Sequence, residues 1–396
     1  MSAAITLRDS SPASARPVIS SLHVGMGWYE EQPGGLNRMV ANLLHSLPGA
    51  GVTAQALVAG SPEVAAWSAG QSRSFAPLAA GLPERIWRAA GAVRGEVERT
   101  KPDILALHFP LFALGAARLR NGPATVVHFH GPWADEGRVE GNGPATVLAK
   151  RQVEHLVYRS ARRFVTLSAA FAGVLERQYG IDPARIAIVP GGVDIQRFRP
   201  EPSRDEARRA LGLPTDRPIV LAVRRLARRM GLNDLIAASA LARSRVPEIL
   251  LLIAGGGPQR SQLEAQVAEL GLAGRVRFLG RVPDAELPLL YRAADLSVVP
   301  STALEGFGLI CVESLAAGTP ALVTPVGGLP EVVRDLDPDL VLDSVGPVAI
   351  GQALAACLLG NRRLPGAAEC AAYARERFAW PVVAERVRAV YEEAMR

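Results

Sequence analysis

Two carboxylates stand eight positions apart in Ser301-Thr302-Ala303-Leu304-Glu305-Gly306-Phe307-Gly308-Leu309-Ile310-Cys311-Val312-Glu313, with a glycine-flanked aromatic just after the first. The apolar run 295–300 ahead of them reads as a buried strand ending in a loop. The run 308–318 reads as a helix. Glu305 therefore falls at a strand-to-helix turn, and Glu313 lies about one and a half turns into the helix. The small residues between them leave backbone N–H groups free at a helix N-terminus, which favours an anion. Acceptors for sugar hydroxyls beside a cradle for phosphate are what holding a nucleotide-sugar requires. A bare E-x7-E pair is common on solvated helices, but the surrounding string P-S-x3-E-G-F-G-L-x3-E-x-L-A-x-G-x-P is far more specific.

Other residues have types and places suited to the same chemistry. Gly34 and Gly35 follow an apolar run and open a helical stretch, where backbone can approach a phosphate. The segment 25–33 before them carries Trp28, Tyr29 and Glu30, candidate contacts to an acceptor. His128 and His130 alternate on one predicted strand and share a face. His130, at the carboxyl end before Gly131-Pro132-Trp133, is the stronger candidate, because open α/β sheets bind ligands there. Arg225, Arg228 and Arg229 follow the first strand of the second half. Gly255 and Gly256 follow the next strand, and Phe278 and Leu279 end the one after. Asp335, Asp337 and Asp339 include a D-x-D, but Pro338 makes the triplet a loop tip, not a metal site.

The string around Glu305 and Glu313 resembles the donor-site signature of the retaining glycosyltransferases of family 4. The resemblance extends from residue 18 to the chain end and is strongest over 278–331. It implies the GT-B fold, an α/β architecture of two Rossmann-like domains whose parallel sheets face each other across a cleft. It also implies metal-independent transfer from a UDP- or GDP-linked sugar, a co-substrate, with no further cofactor. In that scheme Glu305 accepts from the transferred sugar, Glu313 from the ribose, and His130 orients the reacting centre. The donor contacts would be Gly34, Gly35, Gly255, Gly256, Phe278, Leu279 and the stretch Gly306, Phe307, Gly308 and Leu309. Trp133 would face the acceptor with Trp28, Tyr29 and Glu30. The family places an arginine and, five residues later, a lysine at the diphosphate. Arg225 matches the first, but Met230 stands at the second. Arg228 or Arg229 would then have to supply the missing charge, since a bidentate arginine suits phosphate. The resemblance further implies same-face attack, with the leaving phosphate oxygen deprotonating the acceptor. A nucleotide-sugar epimerase or hydrolase, and a non-catalytic scaffold motivated by Met230, stay as alternatives.

These residues need a frame of two domains. A chain of 396 residues, 49% hydrophobic and 21% charged, suits two globular units. Short apolar runs alternate with amphipathic stretches, the pattern of parallel sheets wrapped by helices. Strands are expected over 18–24, 52–58, 104–108, 125–130, 163–167 and 186–189. The pattern restarts with 219–223, 248–253, 276–279, 296–299, 321–323 and 340–342. A Pro/Gly-rich connector, 190–200, divides them. We therefore expect a loose tail over 1–16, an acceptor domain over 17–190 and a donor domain over 191–377. The terminal stretch 378–396 has helical spacing, and the resembled fold sends it back onto the first domain. The three cysteines, Cys311, Cys357 and Cys370, have no paired spacing and suit a reducing compartment. No apolar run approaches a membrane span, so a cytoplasmic location is expected. The net charge is +6, and basic clusters at Arg85, Arg88, Arg94 and Arg99 and at Lys150, Arg151, Arg159, Arg162 and Arg163 admit an anionic membrane surface as a partner. The acceptor would be a saccharide or a lipid-linked saccharide. Nothing in the aromatic or motif pattern suits nucleic acid.

Overall fold

The computed structural model describes residues 16–116, 119 and 122–396, so all of the expected tail except Arg16 lies outside the described residues. Twelve strands form two sheets. The first takes β1 (Ile19–Gly27), β2 (Val52–Ala59), β3 (Ser72–Ala76), β4 (Ile104–Leu107), β5 (Ala124–Phe129), β6 (Arg163–Thr166) and β7 (Ile186–Ile188) in the order β3-β2-β1-β4-β5-β6-β7. The second takes β8 (Ile219–Val223), β9 (Leu250–Ala254), β10 (Val276–Gly280), β11 (Leu296–Val299) and β12 (Ala321–Val323) in the order β10-β9-β8-β11-β12. All these pairings are parallel. Strand order reverses between β1 and β4 and between β8 and β11, and ligands of open α/β sheets bind outside the strand ends at such reversals.

Two expectations about strands change. β3 was not expected, because Ser72-Arg73-Ser74-Phe75-Ala76 is not an apolar run. It is an edge strand, and its Arg73 pairs with Glu96 at 2.7 Å. The stretch 340–342 is not a strand: a 3-10 turn, Pro338–Leu340, precedes a single bridge from Val341 to Val323. The aspartates around that turn hold arginines, Asp335 with Arg377 at 2.5 Å, Asp337 with Arg363 at 3.3 Å and Asp339 with Arg362 at 3.7 Å. All three cysteines are buried and free.

The last helix, Trp380–Met395, returns to the first sheet. Val383, Val387, Val390 and Tyr391 are buried in one apolar cluster with Val40, Leu43, Leu44 and Val52. Arg388 is 2% exposed there. Its guanidinium donates to the carbonyls of Ala50 at 2.8 Å, Gly51 at 2.9 Å and Pro17 at 2.8 Å, while its Nε meets Glu392 at 2.9 Å. Arg162 donates to the carbonyl of Ala394 at 2.8 Å and Arg163 pairs with Glu393 at 3.5 Å. Part of the second arginine cluster is thus engaged by the return helix. The chain crosses between sheets beside itself: the Val193 amide donates to the Phe378 carbonyl at 2.7 Å. Gly192 is required at that crossing, since a Cβ there would lie 2.5 Å from the Trp380 ring. Among the described residues no helix is long and apolar enough to cross a membrane.

Arg388→Ala strips three carbonyls, that of Ala50 buried, of their donor, and we expect it to cost about 3–5 kcal/mol. Urea unfolding checks this; a loss below 1 kcal/mol would mean the clamp is idle.

Candidate active site

The carboxyl ends of β1, β4, β5, β8 and β11 open on one cleft of about 800 Å³ between the sheets. That volume is typical of a small-molecule site. Fifteen of the twenty residues to which the resemblance gives a role line it: Tyr29, Gly34, Gly35, His130 and Trp133 from the first half, and Arg225, Arg229, Gly255, Gly256, Glu305, Gly306, Phe307, Gly308, Leu309 and Glu313 from the second. Five do not. Trp28 is buried in the core of the first domain, and Glu30 and Arg228 are exposed away from the lining. Phe278 lies under Arg260, and Leu279 is exposed.

The helix Leu309–Ala316 starts from Gly308, whose φ of +87° favours glycine. Among the described residues no group accepts from the amides of Leu309 and Ile310. They face the cleft as the positive end of the helix. Phe307 instead turns inward, 3% exposed, edge-on to Phe378 at 5.7 Å. It ties the loop to the interdomain crossing.

Glu305 is held by a cation that sequence reasoning passed over. β8 ends at Val223, and Arg224 and Arg225 part there. The Arg224 side chain is 7% exposed and its Nη2 lies 2.5 Å from Glu305 Oε2. The same nitrogen touches Ser301 Oγ and rests on Met230 Sδ. Ser301 donates to Glu305 at 2.9 Å. Arg225 is 58% exposed in its side chain and meets Glu140 at 3.3 Å. Burial would raise the Glu305 carboxyl, but the charge and hydrogen bonds of Arg224, with Ser301, hold it below the ordinary carboxylate range. Leu304 before it has φ +51°, and Arg229 donates to its carbonyl at 3.0 Å.

Glu313 is 6% exposed and receives the Tyr291 hydroxyl at 3.1 Å and Arg38 at 3.2 Å. Burial lifts its pKa above the ordinary range, against Arg38 and Tyr291. Arg38 comes from the first domain, four residues after Gly34. It also reaches Asp284 at 3.6 Å, where the Tyr29 hydroxyl donates at 2.9 Å. Glu331 crosses the other way, accepting from the amides of Ala169 and Ala170 at 2.7 and 2.9 Å. It thereby caps the helix Ala169–Tyr179.

On the opposite wall, four of the six histidines converge. His108 stacks on His128 at 4.4 Å and on His130 at 5.3 Å, and His23 stacks on His108 at 5.2 Å. Burial pushes His130 down to about 4 and His23 down to about 3, and holds His108 and His128 well below the usual range. The rings are therefore neutral near pH 7. His23 and His108 carried no signal in sequence, because only the sheet order β1-β4-β5 makes them neighbours of His130.

The comparisons with known proteins agree with this geometry. Residues 203–377 match the model described as Glycosyl transferases group 1, and 33–197 match Glycosyltransferase Family 4. A D-inositol 3-phosphate glycosyltransferase of Streptomyces bingchenggensis is 32% identical over 334 residues, 80% of this chain and 72% of that relative. The chain belongs to glycosyltransferase family 4. A similarly named relative from Segniliparus rotundus is 35% identical over 238 residues, covering 59% of this chain and 53% of that one. The chain spans 53–59% of the length of this and two further relatives so named. Among solved structures, sucrose-phosphate synthase from Thermosynechococcus elongatus superposes with a TM-score of 0.75 at 24% identity, covering 95% of this chain and 98% of that one. Anabaena HepE in complex with UDP-glucose gives 0.76 at 21% identity, covering 95% and 100%. These two likenesses carry the fold, which is GT-B.

Two predictions test the electrostatics of this family 4 site. Arg224→Met leaves Glu305 buried without its cation, and we expect a loss of about 3–5 kcal/mol, most of it recovered in Arg224→Met/Glu305→Gln. A denaturant double-mutant cycle reads the coupling, and additive losses would contradict it. The second concerns Glu154, 0% exposed behind Trp133, which accepts from the Tyr179 hydroxyl at 2.9 Å. Burial pushes its carboxyl up to about 7. A raised carboxylate pKa means stability is full below the unfolded value and lost as pH rises through about 7. Glu154→Gln should therefore flatten that loss and stabilise the protein by about 2 kcal/mol at pH 8. Urea unfolding of both proteins at pH 5 and 8 checks the sign.

Proposed function

We propose that the protein is a retaining, metal-independent transferase that moves a hexosyl group from a UDP-linked sugar to a hydroxyl of a polar acceptor. The carrying observation is Arg224 beside Glu305 at the open N-terminus of Leu309–Ala316, facing His130 across one cleft. The donor lies on the second domain, residues 191–377, and the acceptor on the first, residues 17–190, by Trp133 and Tyr29.

Arg224 supplies the charge that Met230 lacks. Its guanidinium rests on the Met230 sulfur, at the end of that side chain. Before the donor binds, Glu305 neutralises it; a diphosphate then adds a second anionic partner, and Glu305 is left to accept from the sugar. The amides of Leu309 and Ile310 add fixed dipoles toward the same anion. Charge developing on the departing diphosphate is stabilised by groups already oriented before reaction. Glu313 accepts from the ribose hydroxyls, in exchange for Arg38. The leaving phosphate oxygen takes the acceptor proton, so the new bond forms on the face the diphosphate leaves.

The relatives' name supports a phosphorylated cyclitol as acceptor, and the UDP-glucose of HepE supports the donor base. Lipid-linked saccharides remain the rival acceptor class, with the anionic membrane surface as partner. The test is transfer from UDP-glucose and UDP-N-acetylglucosamine to inositol 3-phosphate and to a lipid-linked saccharide, without magnesium. A glycosylated inositol phosphate with retained anomeric configuration is expected. UDP release with no glycosylated acceptor would return the hydrolase reading. Arg224→Lys should lower kcat about 10²-fold, and Arg225→Met only about threefold. The reverse order would restore Arg225 as the principal phosphate ligand.

A further inference from the structure

A single line of hydrogen bonds runs from His130 in the cleft to the back of the first sheet. His130 Nε2 lies 3.0 Å from His108 Nδ1, and His108 Nε2 lies 2.9 Å from His23 Nδ1. His23 Nε2 lies 3.0 Å from Ser21 Oγ, which is 3.3 Å from the Thr53 carbonyl. His128 stands beside this line, with its own Nε2 at 2.9 Å from the Tyr391 hydroxyl. Among the described residues, Nδ1 of His130 has no partner, and His130 lines the cleft.

A neutral imidazole carries one N–H and one lone pair. Three such rings joined nitrogen to nitrogen therefore have two arrangements, with all N–H bonds pointing one way or all the other. The far end chooses between them. The Thr53 carbonyl can only accept, so the single hydrogen of the Ser21 hydroxyl points at it. Ser21 Oγ then accepts from His23 Nε2–H, His23 Nδ1 from His108 Nε2–H, and His108 Nδ1 from His130 Nε2–H. We infer that the line Ser21–His23–His108 locks His130 as its Nε2–H tautomer, leaving Nδ1 a bare acceptor aimed at a substrate hydroxyl. His108 and His23 are positioning residues acting through His130. This rests on the reading of the cleft as a nucleotide-sugar site. Burial supports it by keeping all three rings neutral, since an imidazolium would let both directions coexist. The group that His130 reads must carry a hydrogen: a sugar or acceptor hydroxyl, not an amide carbonyl or a phosphoryl oxygen.

The direct test needs no substrate. Two-bond ¹H–¹⁵N correlation of the full chain labelled in histidine distinguishes a protonated ring nitrogen from a bare one. Nε2–H with bare Nδ1 is expected for His130, His108 and His23 near pH 7; a protonated Nδ1 on His130 overturns the inference. Ser21→Ala removes the end that sets direction, so His130 should become a mixture of tautomers. With the transfer assay, kcat/KM should fall about tenfold while UDP affinity is unchanged. His108→Phe should do the same or worse, and His108→Asn, whose amide oxygen can still accept from His130, should recover most of the loss. A His130 tautomer unmoved by Ser21→Ala and His108→Phe, in proteins with wild-type melting temperatures, sinks the proposal. If no transfer is found with any donor, the spectra still decide the tautomer, so the two readings fail separately.

Discussion

The cleft exists because the chain passes between the two sheets twice and the two passages lie against each other. On the way out, Val193 donates to Phe378, which belongs to the way back. Gly191 and Gly192 let that connector press on Phe307, Leu309 and Trp380, so the crossing touches the loop that follows Glu305 directly. The return helix is fastened to the first domain by an apolar face and by a buried guanidinium spread over three carbonyls. That fastening, with the cross-domain contacts of Arg38, Tyr29 and Glu331, fixes the separation of His130 and Glu305.

Within the cleft, the arrangement follows from keeping two glutamates buried. An ion taken from water needs a counter-charge and hydrogen bonds, or its pKa shifts until it is neutral. Glu305 takes the first route through Arg224 and Ser301, and its pKa falls. Glu313 has weaker compensation and its pKa rises. The two carboxylates of one motif are thus electrically different, one drawn below the ordinary carboxylate range and the other lifted above it. The cross-domain contact of Arg38 draws on Glu313 itself, so the contact between the domains and the charge balance of the cleft share a partner.

Much of this was legible in the chain. The alternation of apolar runs and helices gave two parallel α/β units, because that period is a local property of burial on both sheet faces. The string from Pro300 to Pro320 carried the glutamate loop, since Gly308 and the helix start after it are dictated by neighbours in sequence. The weak spots were also local: β3 is polar at an edge, and the apolar residues at 340–342 make only one bridge.

What tertiary structure decided was how the members of a local group are placed at the cleft. Arg224 and Arg225 are adjacent at a strand end and both line the cleft, but only Arg224 is buried against Met230 and Glu305, while Arg225 reaches out to Glu140. Trp28 and Tyr29 divide, one into the core and one into the cleft. Arg38, Asp284 and the histidine line come from segments far apart in sequence, joined only by sheet order and by the crossing. The chain by itself determined the fold, the family and the glutamate loop, because those depend on neighbours within about twenty residues. The partner of each buried charge and the direction of each histidine depend on atoms that folding alone brings together.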